Sequence, residues 1–288
     1  PKLNTENPDV QDYLLKIARY WIEEFDIDAW RLDVANEVSH NFWKKFRQVC
    51  DEAKDDFYIL GEIWHSSQRW LQGDEFHAVM NYAFTDAIIE YFVKGEISMT
   101  KMVSELNNQL MLYRDQTNQV QFNILDSHDT PRLLTLARGD KDLMRQVMAF
   151  TYLQQGVPCL YYGDEIGLTG DMDPDCRKCM VWEEEKQDRD LLRFTTDLIH
   201  LRKSHQKILS EGSLNWNVIS EEEGLIIFER ELGAQRIIGI FNTGEDQLTL
   251  SCPEEILLDQ FMQIEDETMI IDNKGFVIAK INNEISNN

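Results

Sequence analysis

Three short segments place acids and a cation where an apolar strand would be expected to continue. In Ala29-Trp30-Arg31-Leu32-Asp33-Val34 a two-residue period sets Arg31 and Asp33 on one face and Leu32 and Val34 on the other. The apolar run Phe57-Tyr58-Ile59-Leu60-Gly61 closes on Glu62, and the run from Val120 to Leu125 closes on Asp126-Ser127-His128-Asp129. An arbitrary acid among 52 is most often a solvated surface charge. A carboxylate that interrupts or closes an apolar run is different, because burying it is costly unless it is paired or hydrogen-bonded. Arg31 can pair with Asp33 and keep it charged, while burial and a neighbouring negative charge push a second carboxyl towards its acid form. One charged and one protonated carboxyl is the kit for cleaving a glycosidic bond.

The elements that must position these groups alternate along the chain. Asn7-Pro8-Asp9 reads as a capped helix start. Val10, Tyr13, Leu14, Ile17, Ala18, Trp21, Ile22 and Phe25 then recur at helical spacing as one apolar stripe facing a core. A strand over Ile27 to Val34, a helix from about Asn41 to Ala53 and the strand Phe57 to Gly61 follow. Beyond them lie a strand at Ala78 to Met80 that ends in Asn81, helical stretches at Asp86 to Phe92 and Met99 to Tyr113, and a strand at Val120 to Leu125. Helix Lys141 to Gln154 leads to strand Cys159 to Tyr162, and a last helix spans roughly Asp190 to Lys203. Buried strands alternating with amphipathic helices predict an α/β fold with a parallel sheet. Four consecutive strands deliver polar groups to their C-terminal ends, the rim on which a parallel α/β barrel builds its active site. After Lys207 short β-rich pieces separated by turn residues predict an all-β, antiparallel second domain. The expected domains are 1–206 and 207–288.

Composition narrows the function classes. The 288 residues are 43% hydrophobic and carry a net charge of −24, which repels phosphate backbones and anionic lipid surfaces. Neither nucleic-acid binding nor membrane association is expected. No apolar run approaches a membrane span, and Pro1 to Gln11 are polar, unlike a secretion signal. Five Cys, an odd number, fit a reducing compartment, so a cytoplasmic location is expected. Cys176-Arg177-Lys178-Cys179 has the spacing of a metal or redox pair but has no second pair to complete it, and no metal site is expected.

Ala29-Trp30-Arg31-Leu32-Asp33-Val34-Ala35-Asn36-Glu37, Leu60-Gly61-Glu62-Ile63-Trp64-His65 and Leu125-Asp126-Ser127-His128-Asp129 resemble three ordered motifs of the alpha-amylase family of glycoside hydrolases. The sub-signatures are closest to the neopullulanase, cyclomaltodextrinase and maltogenic amylase group. Pro1-Lys2-Leu3-Asn4 is similar to that group's Met-Pro-Lys-Leu-Asn motif after the third barrel strand, and Asp173-Pro174-Asp175-Cys176-Arg177 is similar to a substrate-side loop. Departures from the pattern are Cys179 where Pro is usual, and His77 and Ala83 where Asp and Pro are more common.

The resemblance implies a partial (β/α)8 TIM barrel, strands four to eight, followed by an antiparallel β-sandwich. It implies Asp33 as nucleophile, Glu62 as general acid/base and Asp129 as transition-state stabiliser. Arg31 would orient Asp33, and His128 would bind sugar hydroxyls. Asn36, Glu37 and Trp64 would shape the acceptor side, while Asn81, Asp173 and Arg177 would line the rest of the cleft. The implied activity is retaining hydrolysis of α-1,4 bonds, with α-1,6 bonds as a second type, in maltodextrin, cyclodextrin or pullulan. The two carboxyls would then lie about 5 to 5.5 Å apart. No cofactor is implied for the chemistry; calcium and a homodimer belong to the full-length enzyme, whose usual calcium-ligand region and first three strands have no counterpart here. Pro1 in place of Met implies an internal start at a preceding Met or a cut from a longer enzyme. The alternative is a truncated, inactive glycan-binding or non-functional fragment, and a third possibility is assembly with a chain carrying the missing strands. The isolated chain is expected to be inactive.

Overall fold

The computed structural model describes residues 2–266 and 268–281. Pro1 of the Pro1-Lys2-Leu3-Asn4 motif and residues 282–288 of the expected second domain lie outside them. The chain packs as two compact units, residues 1–83 with 108–122 and residues 84–107 with 123–288.

In the first unit, α1 (Pro8–Phe25) starts where the sequence predicts. The Asn7 side chain accepts from the Asp9 and Val10 N–H groups, and Pro8 occupies the first turn. Strand β1 (Ala29–Leu32), α2 (His40–Ala53), β2 (Tyr58–Gly61) and β3 (Ala78–Val79) follow. β1 pairs β2 and β2 pairs β3, both in parallel, with Leu32 opposite Gly61. The same direction continues in a parallel bridge from Met80 to Phe122. Among the described residues β1 pairs no strand other than β2. The apolar core gathers Ala18, Ile22, Phe42, Trp43, Phe46, Cys50 and Phe76. The stripe on α1 is wider than the surface that covers it. Ala18 and Ile22 are buried, whereas Tyr13, Ile17, Trp21 and Phe25 are exposed, because α2 covers only one side of the stripe.

α3 (Tyr82–Ile88) runs into a π turn at Ile89–Lys94, and α4 (Met99–Leu112) and α5 (Asp115–Val120) lead to β4 (Phe122–Asn123). Helix α5 thus takes the start of the segment expected to be strand. Beyond β4 come α6 (Leu133–Leu136), α7 (Lys141–Leu153), β5 (Val157–Pro158), α8 (Arg189–Ser204) and α9 (Gln206–Glu211). β5 pairs β4. It lies earlier than the predicted Cys159 to Tyr162: the Cys159 N–H still donates to the Asn123 carbonyl at 2.8 Å, but beyond it the chain leaves the sheet, and the Tyr162 carbonyl is taken by the Arg132 guanidinium.

The second unit ends in β6 (Ser213–Ser220), β7 (Leu225–Leu232), β8 (Gln235–Asn242), β9 (Leu248–Ser251), β10 (Glu255–Glu265) and β11 (Thr268–Lys280). Where two sheets of a sandwich were expected, hydrogen bonds trace one six-stranded antiparallel sheet in the order β10-β11-β8-β7-β6, with β9 also on β11. The reason is the length of β11: Thr268–Ile271 pair β9, Phe276–Lys280 pair β8, and β10 follows the bend through a bulge at Gln260/Met262. Phe228, Phe241 and Phe276 of this sheet join Phe150 of α7 in one core, and the Gln146 side chain donates to the Asn242 and Gly275 carbonyls. Among the described residues no helix is long and apolar enough to cross a membrane.

Candidate active site

In the first unit the parallel register sets the ends of β1 and β2 side by side, so Asp33 and Glu62 are the next residues out at the same end. The ladder extends one step further, with Glu62 N–H donating to the Leu32 carbonyl at 2.9 Å and Ala35 N–H to the Glu62 carbonyl at 3.1 Å. Arg31 reaches both acids. Its Nη1 lies 2.5 Å from Asp33 Oδ1 and its Nη2 lies 2.9 Å from Glu62 Oε1. Pairing with Asp33 alone was expected; the guanidinium fork instead serves both because its two terminal nitrogens face adjacent strand ends. The two acids differ in setting, the Asp33 side chain being 75% exposed and that of Glu62 only 5%.

The second oxygen of Glu62 is held from an unexpected direction. Val34 N–H donates to Glu62 Oε2 at 2.9 Å. Val34 adopts φ 45°, ψ 45°, a left-handed conformation that is strained for a β-branched residue. Gly61 has its own steric reason, since a Cβ there would lie 2.6 Å from the Phe76 ring. Nearby, the Trp43 indole N–H fixes the Ala35 carbonyl at 2.8 Å, and Asn36 and Glu37 sit in the short 3-10 turn that follows. Asn36 is half-buried, whereas Glu37 is exposed and pairs with Lys2. Trp64 stacks on Tyr82 with ring centres 3.8 Å apart and planes within 10°, leaving the indole half exposed. Asn81 is buried just beyond β3, its N–H bonded to the Phe122 carbonyl.

In the second unit four predicted residues come together. Asp129 accepts from Arg177 Nη2 at 2.9 Å and lies 3.1 Å from His128 Nε2. Arg177 Nε also lies 2.9 Å from Asp173 Oδ1 and donates to the His128 carbonyl at 2.8 Å. Asp173 and Arg177 had no strand to mark them, yet both belong to the surroundings of Asp129.

Beneath this corner lies a buried group the sequence reading missed. Arg132 is fully buried, bonds Asp164 Oδ1 at 3.0 Å and lies over the rings of Tyr161 and Tyr162. Burial holds Asp164 well above the usual carboxylate range, reinforced by the neighbouring Asp126; burial raises Asp126 too. The two carboxyls are hydrogen-bonded to each other, and Asp126 also accepts from the Leu133 N–H at 2.6 Å. The available signal was Arg132 three residues after Asp129 and Asp164 after a Tyr-Tyr-Gly turn, neither on a periodic face.

The alpha-amylase catalytic domain matches residues 1–212. This chain belongs to the alpha-amylase family. It is 57% identical over 244 residues to the intracellular maltogenic amylase of Bacillus subtilis (strain 168), covering 85% of this chain and 42% of that protein. It is 49% identical over 252 residues to a cyclomaltodextrinase of Bacillus sp, covering 88% of this chain and 45% of the relative. A solved cyclomaltodextrinase structure superposes with a TM-score of 0.87 at 44% identity, across 97% of this chain and 50% of the other. The chain thus spans about half the length of the relatives it matches. Among the described residues no three His, Cys, Asp or Glu side chains gather as a candidate metal site.

Proposed function

We propose that the chain carries the catalytic centre of a retaining glycosidase acting on α-1,4 bonds, with α-1,6 bonds as a second type, in maltodextrin, cyclodextrin or pullulan. In this reading Glu62 protonates the leaving glycosidic oxygen while Asp33 attacks the anomeric carbon and forms a glycosyl ester. Glu62 then takes a proton from water, which attacks the same carbon and releases Asp33. Asp129 stabilises the positive charge that develops on the sugar, and His128, Asp173 and Arg177 bind hydroxyls beside it. Trp64 on Tyr82 offers a flat apolar platform to a sugar ring; Asn36 and Glu37 belong to the acceptor side and Asn81 to the cleft.

What carries the reading is the one guanidinium that joins an exposed and a buried carboxyl at the ends of adjacent parallel strands. The proposed domains are a partial barrel, 1–206, and a β domain, 207–288. The partner is an α-glucan, and a homodimer is proposed only for the longer enzyme. A cytoplasmic location is supported by the name of the intracellular relative. The test is a fluorinated α-glycosyl fluoride that traps the ester, read by peptide mass spectrometry. Label on Asp33 with net retention at the anomeric carbon is expected; inversion would refute the mechanism.

A second reading is favoured by the side of β1 that no strand covers among the described residues and by the exposed apolar residues of α1. In it the 288-residue chain binds glycan without turning it over until further β/α units cover those surfaces. Cyclodextrin consumption by the purified chain, lost in Glu62→Gln, would reject that reading.

A further inference from the structure

Arg132 is a charge sealed inside the second unit, outside the three carboxyls assigned to the chemistry. A guanidinium there is unfavourable unless its donors are used, and they are used in an uneven way. Nη1 donates to the Tyr162 carbonyl at 2.7 Å and to Asp164 at 3.0 Å, Nε donates to the Cys176 carbonyl at 3.0 Å, and the backbone N–H donates to the Gly170 carbonyl at 2.9 Å. One side chain therefore ties the segment after β4 to two later loops, 161–164 and 170–177.

The tie to Cys176 leads outward. The same carbonyl accepts from Tyr161 Oη at 3.3 Å, and the Cys176 thiol donates to the His128 carbonyl at 3.1 Å. The next residue, Arg177, bonds that carbonyl and also Asp129. Gly170 makes the turn tight, because a Cβ there would lie 2.5 Å from the Asp175 carbonyl oxygen and 2.8 Å from Cys176 Cα. Arg132 thus reaches Asp129 through two bonded steps, with Cys176 as the joint.

We propose that Arg132 is a positioning residue for the His128–Asp129–Arg177 corner, acting through Cys176 and the 170–177 turn. The inference rests on the reading of Asp129 and Arg177 as substrate-side groups, but its test does not depend on turnover. Lys in place of Arg keeps a positive charge but has no planar fork to serve Tyr162, Asp164 and Cys176 together.

In Arg132→Lys and Arg132→Met, peptide-resolved alkylation should accelerate at Cys176 by about tenfold or more, the scale of one lost charge-assisted hydrogen bond. Buried Cys50 of the first unit should stay protected. The imidazole nitrogen resonances of His128 should move while those of His40, which pairs with Glu75 in the first unit, should not. Equal acceleration at Cys50 and Cys176 would mean general loosening and would overturn the proposal. So would a protected Cys176 with an unmoved His128. If the Arg132 variants do not fold, Cys176→Ala decides: it should move the His128 resonances with Arg132 intact, and an unmoved His128 would refute the route through Cys176.

Discussion

Replacing Glu62 by Gln keeps the side-chain volume and removes one of two acceptor oxygens from a site that is 5% exposed. Wild-type Glu62 accepts two hydrogen bonds, one on each oxygen, from Arg31 Nη2 and Val34 N–H, both at 2.9 Å. A hydrogen bond to a charged group contributes about 1.5–3 kcal/mol. The Gln amide has one oxygen, so it satisfies one of the two donors and turns an NH2 group against the other. Arg31 keeps Asp33, but that carboxylate is largely solvated and replaces little of what is lost. The expected loss is about 2 kcal/mol, which at a slope of about 2 kcal/mol per molar lowers a urea midpoint by about 1 M. Tryptophan fluorescence suits the assay, since five of the seven Trp (Trp21, Trp30, Trp43, Trp64, Trp70) belong to the first unit. Glu62→Asp should fall between Gln and wild type, keeping both acceptor oxygens while failing to span both donors. A Glu62→Gln variant as stable as wild type would refute the claim that this carboxylate is held by both Arg31 and Val34.

Other consequences are equally accessible. Val34→Gly should be neutral or up to about 1 kcal/mol more stable, because relief of left-handed strain offsets the added freedom of the unfolded chain, whereas Val34→Pro should destabilise by losing the donor to Glu62; thermal unfolding of the pair decides. Burial pushes the His77 imidazole down to about 4, and its Nδ1 must stay unprotonated to accept the Ile59 N–H at 2.9 Å. The unfolded chain therefore binds more protons between about pH 4 and 6.5, so stability should fall as pH drops through that window, and His77→Asn should flatten the slope in urea titrations at several pH values. Phe150 is fully buried against the rings of Phe92, Phe228 and Phe241 at 5.0, 5.3 and 5.4 Å, so Phe150→Ala should lower second-unit stability by about 3–5 kcal/mol, read by hydrogen exchange; a loss near zero would contradict that core.

The two-residue period of β1 was enough to pair Arg31 with Asp33, because strand alternation is a local property, whereas the register that brings Glu62 onto the same guanidinium joins strands about thirty residues apart and was not legible. The cap at Asn7 was legible, as that pairing was. The limits of α1's cover were not, since periodicity marks an apolar face without saying how much surface meets it. Val34's left-handed turn was hidden in a residue whose propensity favours strands. Asp126 and Arg132 lie in one irregular segment and Asp164 more than thirty residues later, and only tertiary closure makes them one group. The continuous curled sheet was likewise invisible, because one long strand serving two neighbours reads in sequence like two short ones.

The division of the chain has a bearing on how it folds during synthesis. The first unit is not one stretch of sequence: residues 84–107 leave it and 108–122 return. What returns is structural, since the Gln121 side chain accepts from Val79 N–H and the Val120 carbonyl accepts from Tyr58 Oη. A growing polypeptide cannot complete this unit when residue 83 leaves the ribosome; it must hold β1, β2 and β3 with an unsealed side until residue 122 has emerged. During that interval the edge of β3, to which Gln121 and Phe122 later bond, is open to any chaperone or neighbouring nascent chain.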